Sequence, residues 1–318
     1  MPWRVRGLTR DATSSRAQAL AAKSEKLEVV SADLNDVTSL KKAFAGATAV
    51  FGVTDFWTFY RKQENRQHVP KDQTFVQWCG DQEEQQGKNI FEAAASVPTL
   101  ERIVYSSLTD FQKWTKGKYP GVVHFNSKAR AAEWAHDNLP ELWARTSIIQ
   151  VGIYLSNYTD PHETPFQPGK VRCSRYCVGP LDANRLLQDG DTYVFNLAIE
   201  SRQPWPFIAA EQDTGVVTSA LVSQPAGKNV LVYREHVHFK DFLKLLEDHL
   251  GIKTRVHPSG MPMPDELQDE IVQTFKAIEE FGYTGGDPSV IEAKDLGLSL
   301  GSVEDWVRKQ DWSGMLQK

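Results

Sequence analysis

The chain has 318 residues, 41% of them hydrophobic and 24% charged, and its 36 Lys and Arg against 41 Asp and Glu leave a formal charge of -5 with neither sign gathered into a block. That length can bury a large core in one α/β unit with an appended lobe; the charge balance excludes a basic nucleic-acid footprint, and no apolar run has the length of a bilayer span or a secretory leader. An odd count of three cysteines suits a reducing compartment better than a disulfide framework, so a cytoplasmic protein is expected.

Short apolar runs alternate with helical patterns through the first half. WRVRGL, LEVVS, AVFGV, RIVYS and TSIIQV are four to six residues each, as suits parallel strands covered on both faces. Between them, SSRAQALAAKSEK, VTSLKKAFAG, EEQQGKNIFEAAASV and SKARAAEWAHD repeat apolar residues at three and four, the period of crossover helices. The alternation predicts right-handed βαβ units and a Rossmann-like, doubly wound parallel sheet over 1–157, with binding groups at the strand C-termini. A smaller α+β lobe is expected over 158–318, opening on the Pro- and Gly-rich DPHETPFQPGK, with NVLVY at 229–233 a strand open to joining the main sheet. Cys173 and Cys177 have no second Cys or His pair at finger-like spacing and read as thiols rather than half a metal site. MPDELQDEIVQTFKAIEEFG and SVEDWVRKQDW read as amphipathic helices on that lobe.

The candidate chemistry lies at the strand tips. Thr9 and Arg10 end the first run, where a Rossmann second strand meets its loop and reads the adenine ribose; an arginine there suits a 2′-phosphate, or is simply solvated. Asp33 and Leu34 end the next run, set to hold an adenine amino group and ring face, although Asp33 can equally serve the turn in which Asp36 caps the following helix. Thr54 ends the third, before Phe56, Trp57, Phe59 and Tyr60, a segment too irregular for a helix face that walls an apolar cleft or plugs the core or a dimer contact. RKQENRQHVPKDQ then reads as a long exposed loop, open to acting as a flap. Ser106 and Ser107 place hydroxyls at the fourth tip, where Ser107 would hold a substrate carbonyl. His124 and Lys128 stand four apart, on one face if their helix has begun. This is the spacing of the Tyr-x-x-x-Lys pair of short-chain dehydrogenases, with an imidazole in the tyrosine position. Gly152, Tyr154 and Asn157 lie just beyond the last run, and Asp213 and Gly215 read as a capped turn before a helix.

VRGLTRD, LEVVSADLND, AVFGVTDFW, QQGKNIFEAAA, IVYSSL, HFNSKA, VGIYLSNY, DTG and GKNVLVY, in this order, resemble the NmrA-like family of atypical short-chain dehydrogenase/reductases, of fungal type. EFGYTGGDP and EDWVRKQDWSGML extend the resemblance nearly end to end. It implies NADP(H) as cofactor, with Arg10 at the 2′-phosphate and Lys128, Tyr154 and Asn157 near the nicotinamide. It also implies a family holding both reductases of secondary metabolism and NADP-sensing regulators. The leading expectation is an NADPH-dependent oxidoreductase on a small apolar carbonyl or aromatic substrate, with Lys128, His124, Tyr154 and Ser107 catalytic. A cofactor-independent isomerase, cyclase or dehydratase and a non-catalytic regulator stand as alternatives. The expected partner is a small molecule, with a homodimer or a regulatory protein open and neither nucleic acid nor membrane involved.

A family member would open with a further strand, a G-x-x-G-x-x-G turn and a helix, about 25 residues that cradle the pyrophosphate and place a central strand. None of these precedes PWRVRG. Either the sequence as given is clipped there or the sheet is rebuilt around the gap; if the chain folds as given, the second and fourth strands of the family order are expected to pair directly, or to accept another segment between them, and dinucleotide affinity to be weak or absent.

Overall fold

The computed structural model describes residues 3–159, 188–189, 192–196, 201–257 and 264–313, so DPHETPFQPGK, Cys173 and Cys177 lie outside the described residues. In chain order the first half runs β1 (Val5–Thr9), α1 (Ser15–Ala21), β2 (Leu27–Ser31), α2 (Val37–Phe44), β3 (Ala49–Gly52), α3 (Phe56–Tyr60), α4 (Phe75–Ala95) and β4 (Arg102–Ser107). It continues through α5 (Phe111–Trp114), α6 (Val123–Asn138), α7 (Pro140–Trp143), β5 (Thr146–Val151) and β6 (Ile153–Tyr154). The second half adds β7 (Gln188–Asp189), β8 (Thr192–Asn196), β9 (Trp205–Ile208), α8 (Ala210–Ser223), β10 (Asn229–Val232) and β11 (Glu235–Val237). It closes with α9 (Phe239–Leu250), β12 (Lys253–His257), α10 (Asp265–Phe281), β13 (Val290–Glu292) and α11 (Val303–Lys309).

A five-stranded parallel sheet in the order β13-β10-β5-β4-β3 forms the centre. Its strands are apolar on both faces because both are covered. Ile103 and Tyr105 pack with Leu40, Phe44, Ile90, Phe91 and Ala131 under α2, α4 and α6, while Val104 and Ile149 pack with Val217 and Leu221 of α8. Thus a period of two along β4 sorts alternate residues between two helix layers. β9 is flanked by β11 and β6, and β8 by β12 and β7, in two three-stranded sheets. Among the described residues no helix is long and apolar enough to cross a membrane.

The sheet departs from expectation at its other edge. β1 pairs in parallel with β2 in a separate two-stranded sheet, and β3 pairs only with β4. Among the described residues the expected direct pairing of β1 with β3 is absent, and no other strand joins them. The helix layer accounts for this. Arg6 Nη1 donates to the carbonyls of Ala43 (2.7 Å) and Ala45 (3.1 Å) at the end of α2. Asn89 Nδ2 of α4 donates to Leu34 O (2.8 Å), and Gln86 Nε2 to Asn35 Oδ1 (3.1 Å). The two-stranded piece thus hangs from α2 and α4 rather than from a neighbouring strand, and Val5, Leu8, Phe51 and Val53 are left exposed.

Three local readings also change. Phe56–Tyr60, expected to be irregular, is a single helical turn capped by Asp55, which accepts from Trp57 N (3.0 Å) and Thr58 Oγ1 (2.7 Å). The expected loop after it contains a 3-10 helix, Gln63–His68, tied down where Arg66 pairs with Glu266 (2.7 Å) and stacks on Phe75. Asp213 sits not before a helix but inside the first turn of α8, accepting from Ala209 N (3.0 Å) and pairing with the buried Arg234 (2.7 Å). Gly215 is likewise helical, and a Cβ there would meet nothing.

Gly152 marks the passage from the central sheet to β6, and a Cβ there would lie 2.1 Å from the Pro206 carbonyl oxygen of β9. Backbone bounds that space, so nothing can rotate away. Gly152→Ala is therefore expected to destabilise the protein by about 1–3 kcal/mol, read as a lower urea midpoint at unchanged m-value.

Candidate functional site

The C-terminal tips of β3, β4 and β5, the start of α6 and one face of α10 enclose a cavity of about 400 Å³. Thr54, Ser107, His124, Lys128, Gly152, Tyr154 and Asn157 line it together with Ser106 and Arg61. Phe56, Trp57, Phe125, Trp205, Phe275 and Tyr283 supply its aromatic walls. Of the residues singled out in the sequence, Thr9, Arg10, Asp33 and Leu34 are not part of this lining. Thr9 and Arg10 end β1, Arg10 is exposed, and Asp33 Oδ1 accepts from Asn35 N (2.9 Å) in the turn beyond β2. Leu34 packs against the helix-side core. Asp36 caps α2 by accepting from Thr38 N (2.9 Å).

α6 begins at Val123, so His124 and Lys128 stack one turn apart on its cavity face. Each meets a buried glutamate. Lys128 Nζ donates to Glu83 Oε1, to Thr54 O (2.7 Å) and to Thr54 Oγ1 (3.1 Å), which engages all three ammonium hydrogens. Glu83 is fully buried and also accepts from Thr54 Oγ1 (3.0 Å) and Ser127 Oγ. It can sit there because α4 and α6 approach closely around it. A Cβ on Gly80 would lie 2.4 Å from Val123 Cγ1, and one on Gly87 would lie 2.5 Å from Ala131 Cβ.

His124 Nδ1 contacts Glu270 Oε1 of α10. The same oxygen accepts from Val123 N (3.1 Å) and His124 N (3.2 Å), the first amides of a helix whose own N-cap residue, Val122, supplies no side-chain bond. The ring is packed among Trp57, Phe56 and Phe125, with centroids 5.6, 6.1 and 4.8 Å away. Nε2 makes no hydrogen bond among the described residues.

Tyr154 stands at the cavity mouth, where desolvation and the nearby Asp55 carboxylate raise its phenol above the usual tyrosine value, so it keeps its proton at neutral pH. Burial likewise raises Tyr283, whose hydroxyl donates to Val151 O (2.8 Å). Ser107 Oγ is buried and donates to Leu108 O (3.3 Å). The aromatic segment serves both roles weighed for it: Tyr60 is core, Trp57 is a partly buried wall, and Phe56 is both.

Sequence reasoning passed over the two glutamates. Glu83 lies between Gly80 and Gly87 at spacings of three and four, the signature of a close helix contact with an acid inside it. Glu270 interrupts the apolar stripe of α10 formed by Leu267, Ile271, Phe275 and Ile278, all buried or lining the cavity.

A parallel sheet covered on both faces, with polar groups gathered at its strand tips, defines a Rossmann-like α/β protein. The NmrA-like family model matches residues 1–307, and the chain belongs to that family. Among solved structures, Nmra, a negative transcriptional regulator, is similar at 15% identity and a TM-score of 0.66, over 95% of this chain and 86% of that one. Nmra in complex with NADP is similar at 18% identity and a TM-score of 0.61, over 99% and 87%. An NADPH-dependent quinone oxidoreductase from Escherichia coli, complexed with NADPH, is similar at 14% identity and a TM-score of 0.58, over 96% and 89%. At these identities the likeness is one of fold.

Removing Lys128 while keeping Glu83 would leave a carboxylate in a dry helix interface. Lys128→Met is expected to cost about 3–5 kcal/mol, and adding Glu83→Gln to recover most of it, in a urea-denaturation double-mutant cycle.

Proposed function

We propose that the chain is a nicotinamide-nucleotide-linked oxidoreductase acting on a small, apolar carbonyl compound bound in the cavity. The observation that carries this is the gathering of His124, Lys128, Ser107, Tyr154, Asn157 and Thr54 around one aromatic-walled space at the strand tips. The donor chemistry fits the nucleotide at two places. Asn157 and Tyr154 offer amide and phenol groups to the nicotinamide ribose beside the Lys128 charge, while Thr9 and Arg10, at the end of the strand paired with β2, offer a hydroxyl and a cation to a phosphorylated adenine ribose. Nmra and the quinone oxidoreductase, whose structures hold NADP and NADPH, support the same assignment.

When bound, the nicotinamide supplies or accepts hydride. The protein's own groups handle the rest. Ser107 and Tyr154 orient the carbonyl, and the aromatic walls exclude water and favour flat or apolar flanks. His124 Nε2, the one ring nitrogen without a protein partner, passes the proton to the carbonyl oxygen. Lys128 acts as a fixed charge, because Glu83 and Thr54 already use its hydrogens.

His124 also favours a second reading, since an imidazole seated in an apolar cavity can move protons with no nucleotide present, as an isomerase, cyclase or dehydratase requires. Calorimetric titration with NADPH and NADH, followed by nucleotide-oxidation assays on apolar ring ketones, separates the two. Weak but saturable binding, tighter for NADPH, and turnover lost in His124→Asn are expected. Absence of binding at millimolar NADPH overturns the oxidoreductase reading, and turnover by nucleotide-free protein would favour the second.

A further inference from the structure

Four side chains on α10 reach across to the first half of the chain. Glu266 pairs with Arg66 (2.7 Å), Glu270 meets the start of α6, and Gln273 Oε1 accepts from Gly121 N (2.8 Å). Glu280 accepts from Tyr119 Oη (2.6 Å) and pairs with Lys118 (2.5 Å). The segment 118–124 is therefore gripped along its length by one helix from the other end of the sequence.

Glu270 differs from the other three in being almost fully buried and in touching a group that lines the cavity. Its oxygens are used unequally. Oε1 takes Val123 N, His124 N and His124 Nδ1, with Thr274 Oγ1 at 3.4 Å, whereas Oε2 is buried with no partner among the described residues. A carboxylate oxygen has only lone pairs to offer, so the imidazole nitrogen facing it must carry a hydrogen. With Nδ1 committed to Glu270 whether the ring is neutral or charged, only Nε2 can gain or lose a proton toward the cavity. The ring cannot easily turn over, because Trp57, Phe56 and Phe125 pack around it.

We propose that Glu270 is a positioning residue that fixes His124 with its proton on Nδ1, making Nε2 the proton-exchanging atom, and that the site is complete only while α10 is seated on the start of α6. This rests on the reading of His124 as the proton-transfer group, but its test does not need the nucleotide. Glu270 would act twice through one oxygen, as an N-terminal cap supplied by a distant helix and as the orienting partner of the histidine.

The test is nitrogen-15 NMR of the full chain labelled on histidine, with the His124 signals assigned by their loss in His124→Asn. Wild type should show neutral His124 protonated on Nδ1 with a far-downfield N–H signal. Glu270→Gln, which keeps an oxygen for the two backbone amides but removes the charge and can turn its NH2 to the ring, should move that signal upfield and admit the Nε2-protonated tautomer, and Glu270→Asp should keep the downfield signal in part. In the ketone assay Glu270→Gln should lower kcat by about 10²–10⁴ with little change in KM. A neutral His124 protonated on Nε2 in wild type overturns the proposal, as does a Glu270→Gln spectrum identical to wild type. Should Glu270→Gln fail to fold, the wild-type tautomer alone decides. Failure to bind NADPH would sink the oxidoreductase reading and leave this one standing.

Discussion

Two buried glutamates set the terms for this structure. Glu83 and Glu270 are 0% and 1% exposed, and a carboxylate taken out of water costs several kcal/mol unless hydrogen-bond donors, charged or neutral, meet it. One turn of α6 answers both, with Lys128 against Glu83 and His124 against Glu270. The helix is thereby fixed to α4 on one side and α10 on the other, and its rotation about its own axis is set by charge as well as by packing. Any group on the same face faces the cavity as a consequence. The cost of burying the acids and the placing of the cavity residues are the same physical fact.

Much of the frame was legible in the sequence because it rests on local rules. Apolar runs of four to six residues became parallel strands, Asp36 caps its helix, and the four-residue step from His124 to Lys128 puts both on one face. The partners of those two residues were not legible, since Glu83 lies 45 positions from Lys128 and Glu270 lies 146 from His124. Periodicity reports which face a residue occupies, and not what stands opposite. Phe56–Tyr60 failed for a related reason: one turn is too short to display a period, and its cap, Asp55, resembles any other loop acid.

The strand-pairing expectation failed instructively. It treated unpaired strand edges as the dominant cost and so required β1 and β3 to meet or another segment to stand between them. The helices proved stronger. Leu40, Ala43 and Phe44 of α2 are buried, Leu40 and Phe44 packing against Ile90 and Phe91 of α4, and Arg6, Asn89 and Gln86 bond the two-stranded piece to that layer. Packing of an apolar helix face is non-directional and large, whereas a net backbone hydrogen bond contributes about 0.5–1.5 kcal/mol. The helix layer therefore holds β1 and β2 in place, and among the described residues these two strands pair only with each other.

This division separates the two groups of candidate residues physically. Thr9, Arg10, Asp33 and Leu34 ride on β1, β2 and the turns that follow them, and their positions depend on how α2 and α4 pack. The cavity residues ride on β3, β4, β5 and α6, with walls drawn from the aromatic core of the second half, where Phe56 and Tyr60 join Trp205, Phe239 and Trp306. α4 is the element common to both, since Gln86 and Asn89 hold the first group while Glu83, one helical turn earlier, holds Lys128. A disturbance along that face of α4 would reach both groups at once. A disturbance of α10 would reach the cavity directly, through Glu270. The two ends of a long ligand spanning these groups would thus be coupled through a single helix.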